Sequence, residues 1–288
     1  MDGYFFRLAA KRLNLPFIGG KQMKYISPLH EDFVRKTRRG NLLVILCRAG
    51  LLVLIVAFWE IAAKLDVIDP FIFSSPSRII RTFAKLYGDG TLLTHLWVST
   101  YETLAGFALG TLLGFPIATG LWWKDSLRRI FEPYLVVLNS LPKIALGPII
   151  IVWAGTGAAS IILMAVLISF IITALNMLSG FVSTDPDKIL LMRTMKAKRY
   201  QLFFKLVLPA NIPTLTSTLK INVGMAWVGS IMGEYLVSRA GLGYLIVYGS
   251  QVFNLDIVMT CTIALCALAG IMYGLVALAE KLALSRFS

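Results

Sequence analysis

The stretch Asp185–Pro213, "DPDKILLMRTMKAKRYQLFFKLVLPANIP", decides how the rest of this chain is read. It carries six basic residues, Lys188, Arg193, Lys196, Lys198, Arg199 and Lys205, in the middle of a 288-residue sequence that is 57% hydrophobic. At mid-membrane each Lys or Arg costs roughly 2.5–3.5 kcal/mol, so this block cannot cross a bilayer. It must be a polar loop between apolar segments.

Those segments are spanning helices. Mean hydropathy is +0.76 and only 15% of residues are charged, where a soluble domain has about 25%. Six windows are apolar enough to span: 43–63, 93–121, 134–154, 158–180, 214–235 and 257–278. Pro116 is expected to interrupt the second, and Pro142 and Pro148 the third. The expected fold is an all-α, polytopic membrane protein of six transmembrane helices. Residues 1–41 form a basic tail and residues 42–288 the membrane domain, with a cytoplasmic loop at 181–213.

Positively charged loops stay cytoplasmic. With the N-terminus inside, the inner segments carry 20 Lys and Arg and the outer ones 5. Both termini and the quoted block are therefore expected in the cytoplasm. The first 41 residues lack the apolar core and cleavage site of a signal peptide. Within them, "YFFRLAAKRL" reads equally as a basic segment on lipid or as a merely positive tail.

Within the block, Asp185-Pro186-Asp187 is a helix start, with proline and acid in the first turn. Ile189, Met192 and Met195 make an apolar stripe, and Arg193, Lys196 and Arg199 a neighbouring basic stripe. Leu202, Phe203, Leu206 and Val207 make a second apolar face. Such a segment can rest on anionic lipid or present its methionines to a groove on a soluble partner.

The block resembles the cytoplasmic loop of binding-protein-dependent ABC importer permeases, whose pattern is E-A-A-x-x-x-G followed by I-x-L-P. The nitrate, sulfonate, taurine and bicarbonate branch is matched at Asp185, Pro186, Arg193, Thr194, Ala197, Arg199, Gln201, Leu202, Phe203 and Val207–Pro209. The pattern's glutamate falls on Leu190, its alanines on Leu191 and Met192, and its glycine on Lys196. "FIFSSPSRII", "LNSLPKIALGPIIIVWAGTG" and "LGYLI" also resemble that branch, in the same order, whereas Glu102 stands where the branch often has Arg.

The resemblance implies a type I importer transmembrane domain that moves a small solute, such as a sulfonate, taurine, nitrate or bicarbonate. It implies two ATPase subunits, a second copy of the chain, a substrate-binding protein and a lipid bilayer as partners, and no nucleic acid. It also implies a coupling helix that seats on the ATPase through Asp187, Ile189, Met192, Arg193, Met195, Lys196, Ala197, Arg199, Gln201 and Phe203. ATP and Mg would be held by the ATPase, because this chain has no G-x-x-x-x-G-K-[ST] loop. It would be a transport subunit rather than an enzyme. A secondary carrier or channel is the alternative; it would show an inverted repeat, and none is visible. A membrane enzyme would need clustered acids or histidines.

Gly106, Gly110 and Gly114 form a small-residue ladder for helix packing, within one chain or between two. Glu102, Asn139, Ser140, Asn176, Asn222 and Glu234 are candidates to line a solute path, although cross-helix hydrogen bonding is the default for such groups. Lys220 is a possible partner for Glu102. Cys47, Cys261 and Cys266 lie in apolar windows, which speaks against disulfides and zinc.

Overall fold

A computed structural model describes residues 28–285; the amphipathic segment of the tail lies outside them. The helices are α1 (Pro28–Lys64), α2 (Pro76–Gly88), α3 (Thr91–Trp123), α4 (Asp125–Ser140), α5 (Gly147–Ala154), α6 (Ala158–Val182), α7 (Pro186–Thr194), α8 (Arg199–Ala210), α9 (Ile212–Val237), α10 (Leu242–Gln251) and α11 (Leu255–Ser285). The described residues contain no strand.

The chain divides into two units between Ala57 and Phe58. The first is helix α1 as far as Ala57, with Leu51, Leu52, Val53 and Leu54 exposed. Because α1 starts at Pro28, it runs straight through the expected boundary at residue 41. The second unit is a helical bundle organised around α6, where the central position goes to the most apolar span and half of its window is buried.

Helices α3, α6 and α9 approach closely because small residues meet at their crossings. A Cβ added at Gly110 would lie 2.5 Å from the Ser169 Cβ, one at Gly114 2.6 Å from the Thr173 Cβ, and one at Gly106 would overlap Ala165. From α9, a Cβ at Gly229 would come within 2.7 Å of the backbone of the same Ala165. The glycine ladder thus packs α3 on α6 within one chain. Hydrogen bonds pin the same crossings: Asn222 Nδ2 donates to Thr173 Oγ1 at 2.5 Å and to Thr111 Oγ1 at 3.3 Å. The hydroxyls of Thr103 and Ser230 meet at 2.6 Å.

Four helical segments are long and apolar enough to span alone: Leu46–Lys64, Thr91–Trp123, Ala158–Val182 and Leu255–Leu282. Two more are bent pairs, Asp125–Ser140 with Lys143–Ala154 at 92°, and Arg199–Ala210 with Ile212–Val237 at 60°. The third expected span is therefore two helices at nearly a right angle. Leu141 is extended ahead of Pro142 (ψ 139°), as a residue before proline prefers, and Pro148 sits in the first turn of α5. Pro116, in contrast, lies inside an unbroken α3.

At the end of the bundle where α2 meets α11, Arg78 donates from Nε and Nη2 to Asp256 Oδ2 at 3.0 and 2.8 Å. Ser74 donates to the other carboxylate oxygen at 2.7 Å. Lys220 is paired with Glu280 across α9 and α11, and Thr216 Oγ1 donates to that carboxylate at 3.0 Å. Lys220 is therefore not the partner of Glu102.

Candidate functional site

Helix α7 opens where expected. Asp185 Oδ1 accepts from the Asp187 N–H at 3.0 Å, and Pro186 occupies the first turn. It closes sooner than the stripe pattern requires. The Ala197 N–H donates to the Met192 carbonyl at 3.0 Å and the Lys196 N–H to the Arg193 carbonyl at 2.9 Å, while Lys196 takes a left-handed backbone (φ 58°). This is a Schellman stop. It ends the helix between Arg193 and Arg199, so the three basic residues do not share one helical face.

The stop also explains the pattern around it. Lys196 holds the place of the loop pattern's glycine, and it is the one residue of the turn with positive φ. Glycine takes that conformation without strain, whereas a side chain costs about 1 kcal/mol there. Lys196 is exposed, so its side chain has room.

Beyond the stop, Gln201 Oε1 accepts from the Lys198 N–H at 2.8 Å and starts α8. Arg199 donates to the Trp122 carbonyl at 3.2 Å, with its guanidinium 5.7 Å from the Trp122 ring centre. Phe203 is buried, with its ring 5.2 Å from Trp122, 6.0 Å from Trp123 and 5.4 Å from Phe181. The loop is thereby fastened to the ends of α3 and α6. Asn211 closes the bend into α9, donating to Thr184 Oγ1 at 3.0 Å and to the Val207 carbonyl at 2.8 Å.

The same aromatic cluster reverses the expected face of α7. Ile189 and Met192 are half-buried and pack on the cluster that contains Phe181 and Phe203. The side chains left to solvent are Leu190, Leu191 and Met195, exposed by 62, 61 and 74%. Lys188, Arg193 and Lys196 flank them, Asp187 is exposed, and Ala197 is half-buried. Loop geometry therefore offers an apolar knob in a basic rim, on a helix tied to three spans.

A second constellation lies at the other end of α9. The first N–H groups of α10 are capped by side chains from elsewhere: Gly241 donates to His95 Nδ1 at 2.8 Å, Leu242 to Ser99 Oγ at 2.7 Å and Gly243 to Glu234 Oε2 at 2.6 Å. An acid at a helix N-terminus is favourable, which gives Glu234 a structural task. Gly241 has φ 114°, and a Cβ there would overlap the Glu234 carboxyl. Glu102 is buried beside Glu234, the two carboxyls within hydrogen-bonding reach of one another, and Ser99 and the Tyr244 backbone also reach Glu234.

Glu102 also lines a cavity of about 700 Å³ with Val98, Thr156, Gly157, Leu236 and Arg239. Sequence reasoning missed Arg239, which counted only as a loop charge, and the capping pair His95 and Ser99. Nothing local marks them, since their partners lie 143 and 146 residues away. Of the other path candidates, Asn139 accepts from Lys143 Nζ through its carbonyl and side chain, and Ser140 donates to the Val137 carbonyl. Asn176 is half-buried, with no side-chain hydrogen bond among the described residues, and Asn222 is committed to helix packing. The described residues hold no group of three or more His, Cys, Asp or Glu able to ligate a metal.

The family described as the binding-protein-dependent transport system inner membrane component matches residues 108–283, from the middle of α3 to the end of α11. The chain belongs to this family. It is 30% identical over 197 residues, 68% of this chain and 71% of the other, to a putative aliphatic sulfonates transport permease protein of Bacillus subtilis. To a formylaminopyrimidine transport permease protein of Halalkalibacterium halodurans it is 31% identical over 191 residues, covering 66 and 76%. A chain of the MetNI methionine ABC transporter, in an inward-facing conformation, aligns with a TM-score of 0.59 and 20% identity, over 66% of this permease and 95% of that chain. The fold is that of a type I ABC importer transmembrane domain, and the protein is a multi-pass ABC importer permease subunit.

Proposed function

We propose that this permease imports a small solute by alternating access, driven by ATPase subunits that grip the exposed tip of α7. The observation that carries this reading is the fastening of the loop. Leu190, Leu191 and Met195 face outward, while Arg199 and Phe203 hold the same loop to Trp122, Trp123 and Phe181. A rigid-body displacement of the tip would therefore be handed to α3, α6 and α9 together. The ATPases supply ATP and Mg, and a substrate-binding protein delivers the solute. The working unit is a pair of these chains with two ATPases, in the cell membrane, both termini cytoplasmic.

The solute belongs to the small polar compounds carried by the branch, sulfonates and taurine foremost. The sulfonate permease and the pyrimidine permease are equally similar to this chain, so the solute's chemistry has to come from the site. Orientation is tested with reporters inserted near Lys196 and Arg239 in the full chain. The expected result is a cytoplasmic signal at Lys196 and an external one at Arg239. An external Lys196 would remove the grip and with it the proposal.

A further inference from the structure

Residues 65–90 join two spans, Leu46–Lys64 and Thr91–Trp123, and α2 fills the middle of that connection. Its 13 residues extend about 20 Å, too short to cross a hydrocarbon core of about 30 Å. Helix α2 therefore stays at the membrane boundary where α1 ends and α3 begins. It is also fixed there. Glu60 Oε2, one turn before the end of α1, accepts from the Ser77 N–H at 3.0 Å. Arg78 is paired with Asp256, and Thr260 Oγ1 donates to the Ile79 carbonyl at 3.4 Å. Ile79 is buried, and Leu86 packs on the cluster of Leu92, Leu242 and Leu245.

The opposite face has no cover among the described residues. Ile80, Phe83 and Tyr87 are exposed by 69, 45 and 56%, with Ala84 exposed between them. They fall at i, i+3, i+4 and i+7, which makes one continuous apolar stripe. The rings of Phe83 and Tyr87 stack at 6.4 Å. Arg81 and Lys85, one turn apart along one edge of the stripe, are exposed and stand outside every ion pair among the described residues. The helix carries no acid of its own. An apolar stripe with a basic edge, held at a bilayer boundary, is complementary to what a lipid leaflet presents there, acyl chains beside phosphates. A guanidinium grips phosphate in bidentate fashion and an ammonium as a point charge. We propose that α2 is a binding surface for anionic phospholipid, with Ile80, Phe83 and Tyr87 in the acyl boundary and Arg81 and Lys85 on headgroup phosphate. This goes beyond the importer reading and rests on the multi-pass fold alone, not on the solute or the ATPase.

The test follows thermal unfolding of the full chain in nanodiscs of phosphatidylcholine, alone or mixed with phosphatidylglycerol. A ligand of the folded state raises the melting temperature by mass action, so phosphatidylglycerol should raise it. The double variant Arg81→Gln, Lys85→Gln should melt like the unaltered chain in phosphatidylcholine and lose most of that rise. No rise, or a rise the variant keeps in full, would remove the site. A second measurement asks what covers the stripe. A nitroxide attached after Phe83→Cys, in a chain whose Cys47, Cys261 and Cys266 are replaced by alanine, should be open to oxygen and closed to a water-soluble nickel chelate. Ready access of the chelate would put the stripe in water, and exclusion of both would put it under protein; either result overturns the proposal. Should the cysteine-free chain not fold, the lipid series decides alone.

Discussion

Among the turns that hold a residue at positive φ, those at Lys196 and Gly241 solve the problem differently. At Lys196, φ is 58° and the side chain is exposed; at Gly241, φ is 114° and the space for a Cβ is filled by the Glu234 carboxyl. The first turn ends a surface helix and tolerates a lysine at a small cost. The second wraps backbone N–H groups around buried side chains and tolerates nothing but glycine. The difference separates a surface built to be touched from an interior built to be closed.

The comparison breaks first at Gly241. Gly241→Ala combines backbone strain with overlap against a buried carboxyl, together roughly 2–5 kcal/mol. The expected outcome is a lower melting temperature and a poor yield of monodisperse protein, read by size-exclusion chromatography of the detergent-solubilised chain. A normal profile would mean that Glu234 has room to move and that α10 is not clamped as described. At Lys196 the sign is opposite. Lys196→Gly relieves about 1 kcal/mol of strain but frees the unfolded loop by roughly 0.5–1 kcal/mol, for a net gain of at most about 0.5 kcal/mol. Slower amide exchange at Ala197, the donor that closes the stop, is the expected reading. Faster exchange would show that the lysine side chain contributes a contact there.

The same contrast explains what could be read from the sequence. Helix α6 and the glycine ladder were legible because hydropathy and i, i+4 spacing are local signals, and the partner helix shows its own small residues, Ala165, Ser169 and Thr173, at the same interval. The break at Leu141–Pro142 was legible as a proline, but its angle depends on what α4 and α5 pack against. In α7 the periodicity joined Ile189, Met192 and Met195 to one stripe, but only Ile189 and Met192 share the packed face, while Met195 lies exposed past the end of the helix. Which way that face turns was decided by Trp122, Phe181 and Phe203, brought together from three separate elements. The partner of Lys220 was equally out of reach, since Glu280 lies 60 positions further on, at the end of α11. For the cavity, Glu102 could be singled out as a buried acid, whereas its neighbours Glu234 and Arg239 join it only once α3 and the end of α9 are assembled.

The central claim is that the exposed tip of α7, and not its inward face, is the surface an ATPase holds. Co-purification of the ATPase with Met195→Asp and Met192→Asp chains, normalised to membrane expression and compared with their melting temperatures, tests it directly. Met195 is 74% exposed, so Met195→Asp should melt like the unaltered chain yet retain at least tenfold less ATPase, a change of ~1.4 kcal/mol in association. Met192→Asp places a charge against the aromatic cluster and should lower the melting temperature itself, by about 2–3 kcal/mol of stability. A Met195→Asp chain that keeps its full complement of ATPase would contradict the account.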